Sequence, residues 1–249
     1  MVRLSLLLLL SALALIALLV WCISRWDVWF GNSPESPYKT ADVPERVMLT
    51  FGDTCELNRN ISWMCGESVS PAFVEFIDKQ TQETRRVDVG GEVFESRGGK
   101  AAYYVARLRN LEAGHTYRYR VSSGGKWSEW YEFSLLPSEE KDFSFIYIGD
   151  VQDSLGGITG QFLRKTLAHN PDASFLVCGG DLIEQPNHAY WNEAFQSMDS
   201  IRQTLPILTV TGNHDYLKGI IAELERRFSL THSYYLDSME GENQVFTVR

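Results

Sequence analysis

The sequence predicts a three-part protein: an apolar N-terminal helix, an all-β sandwich and an α/β unit. Residues 4–23 contain no charged side chain. From residue 44 onward, short runs rich in Val, Phe, Tyr and Trp alternate with turn residues, as in a sandwich. Three later apolar runs end in polar tips about 30 residues apart, which is the spacing of strand–helix–strand units. The predicted segments are an anchor or signal at 1–25, a linker at 26–43, the sandwich at 44–137 and the α/β unit at 138–249.

The composition limits the kinds of partner. The chain has 249 residues, a formal net charge of −9 and 44% hydrophobic residues. This length and apolar content suffice for one to two domains with buried cores. Nucleic-acid grooves hold phosphates with clustered Lys and Arg, and the sequence contains no such cluster. We therefore expect no nucleic-acid partner.

The uncharged stretch at residues 4–23 is long enough to cross a membrane. Its 20 residues match a hydrocarbon core of about 30 Å, and an arginine stands on each side. A cleavable signal peptide has a shorter apolar core and a small-x-small site, which is not found near Trp21. We favour an uncleaved anchor over a cleaved signal, with a lipidated Cys22 as a minor alternative. The remainder is predicted to be extracytoplasmic, either membrane-anchored or secreted.

A linker leads into the sandwich, because residues 26–43 contain Pro, Ser and Gly and lack an apolar period. Six runs beyond it are predicted strands: 47–51, 61–64, 72–76, 102–108, 117–121 and 130–133. Residues 111–117 resemble the tyrosine corner of a fibronectin type III-like domain, in which a phenol is tied to the backbone. Trp63 would be the core tryptophan of that domain, and His115 in the corner is expected to be solvated.

No disulfide is predicted. Cys55 and Cys65 are expected at opposite ends of two paired strands, where their α-carbons would be too far apart to bridge. Cys178 lies within an apolar run and is interpreted as a small buried hydrophobe.

Three predicted buried strands organise the α/β unit, at 143–148, 173–178 and 206–210. They end in polar tips at residues 149–153, 180–184 and 212–215. Asp150 and Asp181 are 31 positions apart, and Asp181 and Asn213 are 32 positions apart. One crossover unit of this length places all the tips at the carboxyl edge of one sheet, where open α/β sheets bind ligands. We therefore expect the tips to converge.

Helices are predicted between these strands. Thr159 is a candidate N-cap for a helix that carries Phe162, Leu163 and Leu167. The second helix has an apolar stripe at positions 191, 194, 195, 198 and 201. Ile221, Leu224 and Phe228 predict a third helix, and two strands are predicted at 233–237 and 244–248.

The converging tips predict a metal site. Asp150, Asp153, Asp181 and Asp215 would repel one another at close range unless a cation neutralised them. Hard metal ions take carboxylate and amide oxygens as ligands. A glycine in each tip lets the backbone and an ion approach closely.

The three tips resemble the sequence blocks of the calcineurin-like metallophosphoesterases, which run Gly-Asp-x-His, Gly-Asp-x-x-Asp or Tyr, and Gly-Asn-His-Glu or Asp. With a fibronectin-like domain in front, the chain resembles the purple acid phosphatases and their bacterial relatives from about residue 44 onward. The resemblance implies an αββα sandwich, here incomplete, and two metal ions of the Fe, Zn or Mn class. It implies a phosphatase that hydrolyses a phosphoester by attack of a metal-activated water.

The resemblance also assigns roles. Asp150 would hold the first metal ion, Asp181 would bridge both ions, and the amide oxygen of Asn213 would bind the second. His214, held by Asp215, would protonate the leaving oxygen or stabilise the phosphoryl oxygens.

Some positions depart from the family pattern. Gln152 stands where many metallophosphoesterases have a metal-binding His, and Glu184 stands where purple acid phosphatases have an iron-binding Tyr. Both are possible metal ligands, and Asp153 is expected to be solvated or to support a ligand. His188 is expected to be a plain surface histidine rather than a substrate contact.

The histidines that the family supplies later in its sequence are missing, because no His-x-His occurs here. The sequence therefore predicts the front portion of a longer enzyme, with weak metal binding and little activity. Two alternatives stay open. One is a phosphodiesterase or nucleotidase on the same core, and the other is a non-catalytic cell-surface binding module with a remnant phosphoesterase half.

Overall fold

The computed structural model describes residues 2–26, 29, 35–52, 57–140, 142–210 and 212–215. Helix α1 (Val2–Ser24) comes first. The β-rich region contains β1 (Glu45–Phe51), β2 (Arg59–Met64), β3 (Ala72–Asp78), β4 (Thr84–Val89), β5 (Gly91–Glu95), β6 (Lys100–Leu108), β7 (Thr116–Ser123), β8 (Lys126–Trp127) and β9 (Tyr131–Ser134). The last region contains β10 (Ser144–Ile148), α2 (Thr159–His169), β11 (Ala173–Cys178), α3 (His188–Ser197) and β12 (Ile207–Thr209). The predicted third helix and final two strands lie outside the described residues.

Helix α1 is the apolar segment that the sequence predicted to cross a membrane. The stretch from Ser5 to Ser24 has 20 residues and a mean hydropathy of 3.0, and none of it is buried against the rest of the chain. A membrane span and a signal sequence both have these properties. The structure therefore confirms an apolar N-terminal helix, and its retention as a membrane anchor stays a proposal.

Two sheets build the β-rich region. One contains β4, β3 and β7, with β8 and β9 both paired to β7. The other runs in the order β10-β11-β12-β1-β2-β6-β5. Between the sheets, Trp63 stacks on Tyr104 at a ring distance of 5.4 Å and donates its indole N–H to Ser123 at 2.8 Å. Trp63 is thus a buried core residue, as predicted.

The phenol of Tyr117 ties the start of β7 to the preceding turn. Its oxygen accepts the backbone N–H of Glu112 at 2.8 Å, and the ring is completely buried. This is the backbone contact that the tyrosine-corner pattern predicts. His115 is not simply solvated, because its Nδ1 lies 2.7 Å from the buried carboxylate of Asp78.

The seven-stranded sheet is shared by the sandwich and the α/β region. Strands β10, β11 and β12 are parallel, and β12 pairs in parallel with β1 through Ile207 and Thr50. Next to this pair, Leu49 donates its backbone N–H to the carbonyl of Arg202 at 2.6 Å. The sandwich and the α/β region are therefore joined by backbone hydrogen bonds, and the boundary at residues 137/138 stays a prediction.

Helices α2 and α3 cover one face of the parallel strands. Leu163 of α2 and Trp191 and Phe195 of α3 are buried in a core with Ile146 and Ile148 of β10. Phe162, predicted to share the apolar stripe of α2, is 59% exposed because it lies on the solvent side of the helix. The apolar pattern of α3 continues beyond its last turn, and Met198 and Ile201 are buried in the same core.

The N-terminus of α2 differs from the prediction. Ile158 occupies the N-cap position, and Thr159 donates its hydroxyl to the carbonyl of Val151 at 3.0 Å. The carboxylate of Asp153 accepts the N–H groups of Ile158 and Thr159 at 2.7 and 3.3 Å. Asp153 therefore satisfies the free N–H groups at the helix start, because its carboxylate can accept several hydrogen bonds at once.

Three free cysteines, Cys22, Cys65 and Cys178, occur among the described residues. Cys178, the last residue of β11, is buried in the core that this strand shares with α2 and α3. Cys55, the proposed unbridged neighbour of Cys65, lies outside the described part of the chain.

Candidate active site at the carboxyl edge of the parallel strands

The three polar tips lie together at the carboxyl edge of β10, β11 and β12. The backbone N–H of Gln152 donates to the carbonyl of Asp181 at 2.9 Å, which links the first and second tips. The backbone N–H of His214 donates to Oδ1 of Asp181 at 2.7 Å, which links the second and third. Because the strands are adjacent and parallel, the one-crossover spacing brings the tips to one edge. We call this edge, formed by residues 149–153, 180–187 and 212–215, the carboxyl edge.

Two of the predicted ligands have unusual backbone conformations. Asp150 has a φ of 49° and Asp181 has a φ of 51°, both in the left-handed region. Such conformations are uncommon for residues other than glycine and are frequent at functional sites. Here each one turns the chain sharply just after a parallel strand, β10 for Asp150 and β11 for Asp181. Strand β10 was predicted to be buried, but Phe145 and Tyr147 on one of its faces are exposed.

Gly212 is in close contact with the second tip. A Cβ at this position would overlap the carboxylate of Asp181 and would lie 2.5 Å from the backbone nitrogen of Asp181. Only a residue without a side chain allows the third tip to approach Asp181 this closely.

Asp215 holds the second and third tips together. It is completely buried, and its Oδ2 accepts the N–H groups of Gly212 and Asp181 at 2.8 and 3.0 Å. Its Oδ1 accepts the N–H of Leu182 at 3.1 Å. Burial raises the pKa of this carboxyl to about 6, and the nearby charge of Asp181 adds to the rise. The three N–H groups that it accepts, from Gly212, Asp181 and Leu182, lower the pKa and partly offset the rise.

The ring of His214 faces Glu184. Its Nδ1 lies 3.1 Å from the carbonyl oxygen of Glu184 and 3.7 Å from the carboxylate of the same residue. A carbonyl oxygen can only accept, so Nδ1 carries the proton and Nε2 is the basic atom of the neutral ring. The family resemblance implied that Asp215 supports His214, whereas in the structure Glu184 orients the ring and Asp215 binds the backbone.

The remaining predicted ligands lie near this cluster. Asp150 and Asn213 are exposed at the carboxyl edge. The amide oxygen of Gln152 is buried and has no hydrogen-bond partner. A buried acceptor without a partner is costly, and a bound cation would satisfy it.

The donor set fits a hard cation in kind, because it consists of carboxylate and amide oxygens. In the described part of the chain, however, no three His, Cys, Asp or Glu side chains are grouped so that they could hold a metal ion. The described residues therefore supply some oxygen donors for an ion but not the full ligand set of a two-ion centre.

A second polar cluster lies where α3 begins, at the end of the second tip. The surface position predicted for His188 is wrong, because this residue is only 3% exposed. Its Nδ1 accepts a hydrogen bond from Arg46 at 3.3 Å, so Nε2–H donates to Ser96 at 3.1 Å. Its ring stacks on Tyr38 at 4.1 Å. Burial, together with the charge of Arg46, lowers the pKa of His188 to about 3, so the ring is neutral.

Sequence reasoning missed this cluster because its members are far apart in the chain. Arg46 belongs to β1 and has a φ of 54°, Ser96 follows β5, and Glu35 precedes the sandwich. Oε1 of Glu35 accepts the backbone N–H of His188 at 2.7 Å. No local sequence signal marks Arg46 or Glu35 as partners of His188, since the contacts span 142 and 153 positions.

The structure is thus a β-sandwich joined to parallel strands, with polar tips at the carboxyl edge of the sheet, where open α/β sheets bind ligands. Residues 44–135 match the family model described as the purple acid phosphatase N-terminal domain. This part of the chain is therefore similar to that domain.

The chain is similar to the purple acid phosphatase PPD1 from yellow lupin (Lupinus luteus) seeds, with a TM-score of 0.66 and 16% identity over 80% of this chain and 42% of that chain. It also matches the structure of PhoD, with a TM-score of 0.49, 13% identity and coverage of 72% and 40%. The chain thus spans about two fifths of the length of these proteins. The comparison with curated proteins finds no match. At these identities, the lupin structure supports the fold alone.

Proposed function

We propose that this protein is an extracytoplasmic, metal-dependent phosphoester hydrolase whose active site is the carboxyl edge. The observation that carries this proposal is the direct hydrogen bonding of all three polar tips, centred on Asp181. The similarity to a purple acid phosphatase supports the fold on which this edge is built. We assign residues 138–249 to a metallophosphoesterase domain on the same grounds.

Metal ions would be held by oxygen donors from the three tips. We assign Asp150, Asp181 and Asn213 as ligands, and Gln152 and Glu184 as possible further ones. Two ions of the Fe, Zn or Mn class would supply Lewis acidity toward the phosphoryl group and a water of lowered pKa. We expect weak binding by this chain, because its described residues supply only part of the ligand set of a two-ion centre.

His214 is the proton carrier in this proposal. Its Nδ1–H is fixed on the carbonyl of Glu184, so Nε2 is the atom that exchanges a proton with substrate. When protonated, Nε2 donates to the leaving oxygen or to a phosphoryl oxygen. Asp215 acts through the backbone, because it holds the N–H groups of Asp181 and Gly212 and so keeps the tips in register.

Calorimetric titration of the full chain in nanodiscs with Mn²⁺ and Zn²⁺ tests the metal site. We expect weak binding that Asp181→Asn lowers at least about tenfold, because one charged ligand is removed. Asp172→Asn, an exposed carboxylate at the opposite edge of the sheet, is the matched control. Equal affinities for both variants would contradict the assignment of Asp181.

Hydrolysis assays test the chemistry. We expect slow release of p-nitrophenol from p-nitrophenyl phosphate, reduced by about 10²-fold or more in His214→Asn. Faster turnover of the bis ester would favour the phosphodiesterase alternative. Absence of both metal binding and hydrolysis in the folded chain would favour the non-catalytic binding module.

A further inference from the structure

We propose that the carboxyl edge is held close to the membrane surface, and that its substrates are phosphoesters presented there, such as phosphate groups borne on lipid. This inference rests on the proposed function and on the retention of α1 in the bilayer. It is carried by the first described contact between the chain beyond α1 and the folded body.

The C-terminal end of α1 and the residues just after it carry three tryptophans, which are typical of a membrane interface. Trp21 and Trp29 are in edge-to-face contact at a ring distance of 5.2 Å, and Trp26 lies between them in the chain. The three side chains are 46–51% exposed. Tryptophans concentrate at the lipid headgroups, where the ring is in an apolar layer and the N–H reaches water. This end of α1 therefore marks the bilayer surface.

The first described contact beyond the tryptophans is made by Glu35. Its side chain is only 4% exposed, and its Oε1 accepts the N–H of His188, the first residue of α3, at 2.7 Å. The N-terminal N–H groups of a helix lack partners within the helix, and a carboxylate there is also favoured by the helix dipole. Arg97 lies 3.9 Å from the other carboxylate oxygen. Glu35 is thus firmly attached to the start of α3.

The segment that follows Glu35 continues along the sandwich. Tyr38 donates its backbone N–H to the carbonyl of Gly98 at 2.7 Å, and Thr40 donates its hydroxyl to the carbonyl of Lys100 at 2.8 Å. The described attachment of the chain beyond α1 therefore begins at Glu35. We call residues 25–35 the tether.

The number of residues between Trp29 and Glu35 limits how far the start of α3 can lie from the membrane surface. Trp29 and Glu35 are six positions apart, and six residues span at most about 20 Å when fully extended. The start of α3 lies at the carboxyl edge because this helix follows the tip of β11 directly. Glu184, whose carbonyl orients His214, is four residues before His188, which is at most about 14 Å of chain. The amino edge of the sheet is a further strand length away, about 17–20 Å.

The tether is therefore attached at the edge that carries the candidate site and not at the opposite edge. A site kept this close to a bilayer encounters phosphoesters of the membrane surface at a high effective concentration. Soluble phosphoesters have the same chemistry at the phosphorus but lack this advantage.

Energy transfer from a labelled cysteine to a rhodamine-headgroup lipid tests the placement. The full chain is placed in nanodiscs with Cys22→Ala and Cys55→Ala, and the buried Cys65 and Cys178 are kept. Ala189→Cys puts the label on the exposed side of the first turn of α3, and Asp172→Cys puts it at the amino edge. We expect stronger transfer from position 189. Equal or stronger transfer from position 172 would overturn the proposal, as would an N-terminal mass showing that α1 is removed.

A flexible Gly/Ser segment inserted after Asn32 isolates the effect of the tether. We expect it to reduce transfer from position 189. We also expect it to lower the ratio of phosphatidic acid hydrolysis in the nanodisc to p-nitrophenyl phosphate hydrolysis by at least about tenfold. An unchanged ratio would overturn the substrate class and leave the hydrolase function standing. Hydrolysis of neither substrate by the chain without the insertion would overturn the proposed function, whereas the transfer measurement would still decide the placement.

Discussion

Asp215 accepts the backbone N–H of Asp181 at 3.0 Å, so the carboxylate of the third polar tip closes the turn of the second. The same oxygen accepts the N–H of Gly212 at 2.8 Å. Asp215, to which the family resemblance gave a catalytic role, thus holds the backbone of the second and third tips together. We call this set of hydrogen bonds the clasp.

Replacement of Asp215 by Asn should destabilise the protein. The amide has one acceptor oxygen where the carboxylate has two, and its NH₂ group would face buried N–H donors. We expect a loss of about 1–3 kcal/mol in the free energy of unfolding at pH 7, measured by urea denaturation. The exposed Asp172→Asn should change it by less than about 0.5 kcal/mol. Equal stability of both variants would contradict the clasp.

Gly212→Ala tests the close approach of the third tip. The added Cβ would overlap the carboxylate of Asp181, so one of the two tips must shift. We expect about 1–3 kcal/mol of destabilisation, measured by urea denaturation, together with weaker Mn²⁺ binding measured by calorimetry. Gly90→Ala is the control, because a Cβ there has no neighbour within 4 Å. If both substitutions had the same effect, the contact between Gly212 and Asp181 would be unimportant.

Tyr117→Phe tests the turn that leads into β7. It removes the acceptor of the Glu112 N–H while the ring stays in the core. We expect a loss of about 1–2 kcal/mol in the free energy of unfolding, seen as a lower urea midpoint at an unchanged slope. Tyr147→Phe should have little effect, since that side chain is 66% exposed. A neutral Tyr117→Phe variant would show that the phenol contact does not stabilise the turn.

We expect His188 to make the free energy of unfolding decrease as the pH is lowered. Burial and Arg46 lower its folded pKa to about 3, below the ordinary value of 6.5, so between these values the unfolded chain binds more protons. The contribution of the neutral His188 ring to the free energy of unfolding is complete above pH 6.5 and is lost as the pH falls toward 3. We expect a loss of about 2 kcal/mol between pH 7 and pH 5. The groups that face it are Arg46 on the ring, Glu35 on its backbone N–H, and the stacked ring of Tyr38.

His188→Gln should remove this part of the pH dependence, because glutamine does not titrate. The measurement is the free energy of unfolding at pH 7 and pH 5 for the native chain and the variant. The exposed His169→Gln should keep the native slope. An unchanged slope in His188→Gln would show that this histidine is not held neutral by the fold.

Several elements could be predicted from local sequence because their signals are local. The apolar helix, the three parallel strands and the core position of Trp63 follow from uninterrupted apolar runs and their turn residues. Strands β4 and β5 were missed, because they lie at sheet edges and have no buried residues. Polar edge strands leave little apolar pattern to read.

Site residues were predictable only as positions. The spacing of the tips indicated that Asp150, Asp181 and Asn213 lie at one edge, because parallel crossovers impose that geometry. Which atoms pair there could not be read from the spacing, and it was Glu184 rather than Asp215 that oriented the His214 ring. Their metal-binding roles stay predictions.

The sequence by itself determined the order of the parts, the apolar helix and the recurrence of an acidic tip after each parallel strand. Hydrophobic periodicity and covalent spacing suffice for these features because they act within a few tens of residues. Only the tertiary structure decided that β12 pairs with β1, that Asp215 clasps the backbone, and that Glu35 and Arg46 meet at His188. Each of these contacts joins residues that are distant in the chain, and the folding of the whole body brings them together.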